Sequence, residues 1–172
     1  MDWRFSQWDY LEKYCAEIYQ KQTPTAQLKA LRAVCLMEIN RDVEAQKLLK
    51  EAMAEAPTDA YVLLTQASYL RKMNMLPEAS TILRVPSLQS LPLRDHITGD
   101  ICIATQDLNC AQAAYTALYN KDQRDVEALY GLAWVMFKKK ERALAYDYTR
   151  AGLQAEPNYL PLLELRDQME SE

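Results

Sequence analysis

The sequence predicts an all-α solenoid of about four helix–turn–helix repeats, and three observations carry that expectation. Small residues recur: Ala33, Ala67, Gly99 and Ala133 are each followed twelve positions later by Ala45, Ala79, Ala111 and Ala145. Successive members of each series lie 34, 32 and 34 residues apart. A period near 34 with small residues at two fixed places marks stacked helix pairs whose backbones approach closely there. Composition agrees: only 3 of 172 residues are glycine, while Ala, Leu, Glu, Lys, Gln and Arg are plentiful, and these are the strong helix formers. Finally, Pro57 and Pro157 stand at the same place in two units, where a proline closes a helix instead of interrupting one.

The elements follow in order. Segment 1–25 holds a leading helix at about 2–22, rich in aromatic residues. On a helical wheel Trp8, Leu11, Cys15, Ile18 and Tyr19 form one stripe, with Trp3, Tyr10 and Tyr14 in a second beside it. Together they span about half the circumference, wider than the apolar face of an ordinary surface helix. One stripe is expected to dock on the first repeat. The second, Trp3, Tyr10 and Tyr14, is a candidate surface for self-association or a second partner.

The first repeat, 26–59, has Leu28, Leu31 and Leu36 at helical spacing, a turn at Asn40-Arg41-Asp42, and Ala45, Leu48, Leu49 and Ala52 on its second helix. Thr58-Asp59 supplies capping residues for the helix that follows. In the second repeat, 60–91, Leu63, Ala67 and Leu70 mark the first helix and Asn74 takes the turn place of Asn40. Pro86 falls inside its second helix, where it removes a backbone donor and clashes with the preceding turn. A short helix followed by an irregular stretch is expected there, with a local change of twist and a hinge. The third repeat, 92–125, uses Gly99, Cys102, Ala111 and Leu118, with Gln123 where other units close on proline. The fourth, 126–159, places Leu129, Leu132, Ala133 and Met136 on one helix and Ala145, Tyr148 and Leu153 on the next. Residues 160–172 form a capping helix, apolar on one side and charged on the other, as the end of a repeat stack requires. The whole chain, 1–172, reads as one domain.

Composition excludes several classes. A net charge of −4 leaves no electrostatic footprint for nucleic acid. The one lysine run, 138–140, is followed by Glu141 and Arg142 and reads as a solvated helix end. No 18-residue apolar run exists, so membrane insertion is not expected. Residues 1–5 lack the pattern of a signal peptide. Cys15, Cys35, Cys102 and Cys110 form no C-x-x-C pair and have no histidine cluster. Metal ligation is therefore not expected, and Cys15, Cys35 and Cys102 read as reduced thiols in a helical core. These features together point to a cytoplasmic chain. His96 is the single histidine, and no nucleotide-binding, nucleophile-elbow or zinc-protease motif occurs. The expectation is a non-enzymatic protein without cofactors.

The recurring small residues, the turn asparagines and the closing prolines resemble the tetratricopeptide repeat (TPR) family over most of the chain. The resemblance implies a right-handed solenoid whose first helices line a concave binding surface. It implies a protein-interaction module, either an adaptor or scaffold or a chaperone-like protein, that holds an apolar or helical segment of another protein. The places of the carboxylate clamp that grips chaperone C-termini hold Ala30 and Val34, then Leu64 and Ser68, so that mode is disfavoured. Inner-face places include Tyr61, Leu64, Arg71, Tyr130, Trp134 and Phe137, which make the expected groove apolar and aromatic and are the candidate partner-binding residues. Aromatic clusters beside Arg or Lys resemble interface hot spots. Two alternatives stay open. The chain is similar in size and charge to repeat-containing chaperones of bacterial secretion systems, although those typically carry three repeats. It could equally be a self-associating subunit of a larger assembly, a homodimer through Trp3, Tyr10 and Tyr14.

Overall fold

The computed structural model describes the backbone of residues 3–21 and 23–171 and the side chains of residues 10–21 and 23–171. Among these residues the secondary structure is entirely helical. Helix α1 (Trp3–Lys21) precedes four pairs: α2 (Ala26–Glu38) with α3 (Asp42–Glu55), α4 (Ala60–Lys72) with α5 (Leu76–Leu83), α6 (Pro92–Ala104) with α7 (Leu108–Lys121), and α8 (Val126–Lys138) with α9 (Arg142–Ala155). Helix α10 (Leu160–Ser171) follows, and a 3-10 turn (Pro86–Leu88) occupies the stretch after α5.

Local chemistry starts and stops these helices. Thr25, Asp59, Asp107 and Asp125 cap α2, α4, α7 and α8, each accepting a hydrogen bond from a backbone N–H three residues on, which satisfies one of the free donors of a helix start. Each first helix ends in the same turn. Asn40, Asn74, Gln106 and Lys140 adopt positive φ, between 59° and 64°. After α2, the Asn40 N–H donates to the Met37 carbonyl and the Arg41 N–H to the Leu36 carbonyl. The same pair of bonds recurs at Asn74/Met75, Gln106/Asp107 and Lys140/Glu141. This is the Schellman termination. Asparagine tolerates the left-handed conformation, whereas glutamine and lysine adopt it at a cost.

Pro86 ends regular helix as expected: α5 has only 8 residues. The chain forms two compact units, Met1–Gln89 and Ser90–Glu172, and their boundary follows this irregular stretch.

In the first unit α2 packs on α1, α3 and α4, and α4 packs on α3 and α5. Ala33, Ala45, Ala67 and Ala79 are fully buried; larger side chains there would force the helix backbones apart. The buried face of α2 is built from Ala26, Ala30, Ala33, Leu36 and Met37, with Leu36 on it as expected, while Leu31 is exposed. Helix α1 docks through Cys15, which is buried, and through Ile18 and Tyr19, which are half-buried. Leu11, expected on the same stripe, is exposed. The buried Glu12 instead completes the interface: Arg32 on α2 donates to its Oε1 from Nε at 3.0 Å and Nη2 at 2.7 Å. The Arg32 guanidinium also lies 5.1 Å from the Tyr19 ring centre, so one cation ties together the polar and aromatic parts of the docked face.

The second unit has two layers. Helices α6, α8 and α10 adjoin in sequence, α8 touching both others. Helices α7 and α9 form the second layer, α7 against α6 and α8, and α9 against α8 and α10. Tyr115 of α7 drives its ring between α6 and α8. It fits only because both facing residues are glycines: a Cβ on Gly99 would lie 2.6 Å from the ring, and one on Gly131 would lie 2.4 Å from it. Its hydroxyl donates to Asp100 Oδ1 at 2.7 Å. Gly99 is therefore small for a reason stronger than helix proximity. One expectation is corrected here: Cys102 on α6 and Cys110 on α7 form a disulfide across the turn, with Cα atoms 5.7 Å apart, whereas Cys15 and Cys35 are free and buried.

Candidate functional site

Each first helix is gripped from two sides, by its own second helix and by the neighbouring first helix. What remains open is a narrow row of residues. In the first unit the open residues of α4 include Tyr61, which is 36% exposed, and Arg71 in its last turn, which is exposed. Leu64, expected between them on the binding face, is only 3% exposed and belongs to the core. Lys72, one residue on, is committed to structure: its Nζ donates to the Met37 carbonyl and pairs with Asp42 at 2.9 Å. It thereby satisfies a C-terminal carbonyl of α2 with a positive charge.

In the second unit the open row runs along α8 through Glu127, Tyr130, Trp134 and Lys138. Their spacing of three, four and four residues places all four on one helix face. Tyr130 and Trp134 are half-buried, and Glu127 and Lys138 are exposed. Phe137, expected on this row, is 7% exposed and packs in the core of the unit. Its backbone places it to one side of the open row.

The two ends of the row differ chemically. At the N-terminal end, Asp125 accepts from the Ala128 N–H through Oδ1 and approaches His96 Nε2 through Oδ2 at 3.0 Å. Glu127 Oε2 lies 3.1 Å from His96 Nδ1, though without the alignment of a hydrogen bond. His96 thus ties α6 to the start of α8. The Tyr130 ring meets Tyr159 edge to face, with centres 6.2 Å apart. Burial pushes the hydroxyls of Tyr115, Tyr130 and Tyr159 up from their ordinary pKa, and nearby acids add to the shift: Asp100 at all three, Glu127 at Tyr115 and Tyr159, Glu164 at Tyr130 and Glu156 at Tyr159. At the C-terminal end, Lys138 Nζ lies 5.5 Å from the Trp134 ring centre and 5.3 Å from that of Phe137. Beside Trp134 opens a cavity of about 450 Å³, lined by Ile103, Ala104, Gln106, Leu108, Trp134 and Lys138.

The candidate residues of the N-terminal helix divide. Tyr10 and Tyr14 are 70% and 55% exposed on α1, whereas the side chain of Trp3 lies outside the described residues. Among the described residues no group of three or more His, Cys, Asp and Glu could hold a metal ion, and no helix is long and apolar enough to cross a membrane. Sequence reading passed over Tyr115, Gly131 and Glu12. A signal existed for Gly131: it is one of only three glycines and sits mid-helix, where glycine costs about 1 kcal/mol relative to alanine unless packing requires it.

No curated protein matches the chain in sequence. Among solved structures, YrrB, described as a TPR protein with an unusual peptide-binding site, shares the fold at 13% identity with a TM-score of 0.65, over 94% of this chain and 84% of YrrB. Residues 12–97, half of the chain, match the family described as the Psidin N-terminal TPR repeats region, and the chain belongs to this tetratricopeptide repeat family.

Proposed function

We propose that this chain is a non-enzymatic protein-interaction module that holds an extended or helical segment of a partner on its first-helix faces. The observation that carries this reading is the row on α8. Tyr130 and Trp134 are half-buried in a helix whose other apolar residues, Val126 apart, are buried, and a cavity of about 450 Å³ opens beside the indole. Half-exposed aromatic rings next to a recess suit the anchor residues of an interface, and an apolar segment laid into a groove is a recurring mode of recognition. YrrB, which has the same fold, is described as peptide-binding. Tyr61 and Arg71 on α4 would provide a second patch in the first unit. Leu64 and Phe137 would act through folding, since neither is accessible.

The test is affinity capture from native extract with the wild type and a Tyr130→Ala/Trp134→Ala variant, once circular dichroism shows that both fold. A partner retained by the wild type and lost by the variant supports the reading. Equal retention removes α8 from the interface. A second reading, self-association through the N-terminal helix, is favoured by the exposure of Tyr10 and Tyr14. A concentration-dependent dimer that Tyr10→Ser/Tyr14→Ser dissolves would support it.

A further inference from the structure

The open face of α8 carries opposite charge at its two ends, with aromatic rings between them. We propose that the segment it binds is amphoteric: a basic side chain seats at the Glu127–Tyr130 end, an apolar side chain enters the recess at Trp134, and an acidic side chain reaches Lys138. This rests on the reading that α8 is the binding surface and specifies what that surface selects.

The N-terminal end suits a cation. The carboxylates that act on the hydroxyls of Tyr115, Tyr130 and Tyr159 are Asp100, Glu127, Glu156 and Glu164. They come from α6, α8, α10 and the turn before α10, so the negative field is a property of the whole end. Glu127, with a side chain 61% exposed, brings a carboxylate to the surface of this end, where it and Asp125 share the single imidazole of His96. The edge-to-face pair of Tyr130 and Tyr159 offers ring surface beside those carboxylates, and an ammonium or guanidinium gains from both.

The opposite end suits an anion. Lys138 is exposed and rests near two rings. Among the described residues no carboxylate lies within ion-pair distance of it, whereas Lys29, Lys72 and Lys121 each have an acidic partner. The rings hold the ammonium at the mouth of the recess, in position to meet a carboxylate on the same segment whose apolar side chain fills it. Glu127 and Lys138 are eleven positions apart on one helix, about 16 Å along the axis. An extended chain advances about 3.3 Å per residue, so the two charges of an extended partner running along α8 would be about five residues apart, with the apolar residue between. Charge arranged in this way sets register and rejects wrong partners more than it adds affinity.

The test is selection from a random dodecapeptide display library on the full-length protein, in parallel with Lys138→Glu and Tyr130→Ala/Trp134→Ala. Because Lys138 is exposed, its reversal leaves the core intact. The wild type is expected to enrich peptides with a basic and an acidic residue about five positions apart flanking an apolar one. Lys138→Glu should lose the acidic preference and gain a basic one. A synthesised peptide of the wild-type pattern should bind that variant about fivefold more weakly at low ionic strength. If the wild type enriches apolar peptides with no charge pattern, and the Tyr130→Ala/Trp134→Ala variant does not retain them, the amphoteric proposal falls while binding on α8 stands. If nothing is enriched, or the aromatic double variant retains the same peptides, both fall.

Discussion

Replacing Gly131 with alanine sets two effects against each other, and the structure decides between them. In an exposed helix the change would stabilise by about 1 kcal/mol, the difference in helix propensity. Here the new Cβ would lie 2.4–2.5 Å from Cγ, Cδ1 and Cδ2 of Tyr115, against a comfortable carbon–carbon separation of about 3.5–4.0 Å. The ring has nowhere to retreat. Gly99 bounds its other side, with ring atoms already 2.6–2.9 Å from an ideal Cβ position there, and its hydroxyl is held by Asp100. Overpacking a close-fitted core costs about 1–3 kcal/mol; with the ring blocked on both faces the cost falls in the upper part of that range, about 2–3 kcal/mol, so the net effect is a loss of about 1–2 kcal/mol. For a chain of this length that lowers the melting temperature by about 2–8 °C. Differential scanning calorimetry of Gly131→Ala, Tyr115→Leu and the double variant is the assay. In the Tyr115→Leu background the clash is relieved, so Gly131→Ala should become neutral or stabilising there. A higher melting temperature for Gly131→Ala in the wild-type background would refute the reasoning, as would additivity of the two changes.

Lys140 has positive φ, 64°, so Lys140→Gly should stabilise by about 0.5–1 kcal/mol by removing left-handed strain; the same change at Asn40 should give less, and chemical denaturation measures both. Cys35 has its thiol pushed up from 9.0 to about 11, by burial first and then by Cys15 beside it. A raised folded-state pKa gives stability that is complete below pH 9 and is lost as pH rises through about 11. Melting temperature should therefore fall across that window, less steeply in Cys35→Ala, and equal slopes would contradict the assignment. Thiol titration of the denatured protein should count two free cysteines without reductant, Cys15 and Cys35, and four after reduction; four from the start would exclude the Cys102–Cys110 bond.

The fold was legible because its determinants are local and repeated. Ala33, Ala67 and Ala133 could be read as helix contacts from spacing alone, and Pro86 announced the end of α5 through its missing donor. Asn40 and Asn74 marked their turns because asparagine tolerates positive φ. Gln106 and Lys140 occupy the same turn without that signature, and only the periodicity points to them. Tyr115 was opaque: nothing in its own neighbourhood indicates that a side chain of α7 reaches through to Asp100 between two glycines 32 residues apart. The open row on α8 followed from helical spacing, whereas Leu64 and Phe137 were misplaced because a first helix is covered on two flanks. Helical periodicity gives the direction of a side chain but not how far the neighbouring helix extends over it. The contact of Glu12 with Arg32 joins elements 20 residues apart and left no pattern to read.

The central claim, that the partner lies on the first-helix faces, is tested most directly by site-specific photocrosslinking in cells. A photoreactive phenylalanine analogue would replace, one at a time, Trp134 on α8, Tyr61 on α4, Val43 on the second helix α3, which is 83% exposed, and Tyr10 on α1. The account predicts adducts to a separate protein from positions 134 and 61, and none from position 43. Adducts confined to positions 43 or 10 would contradict it.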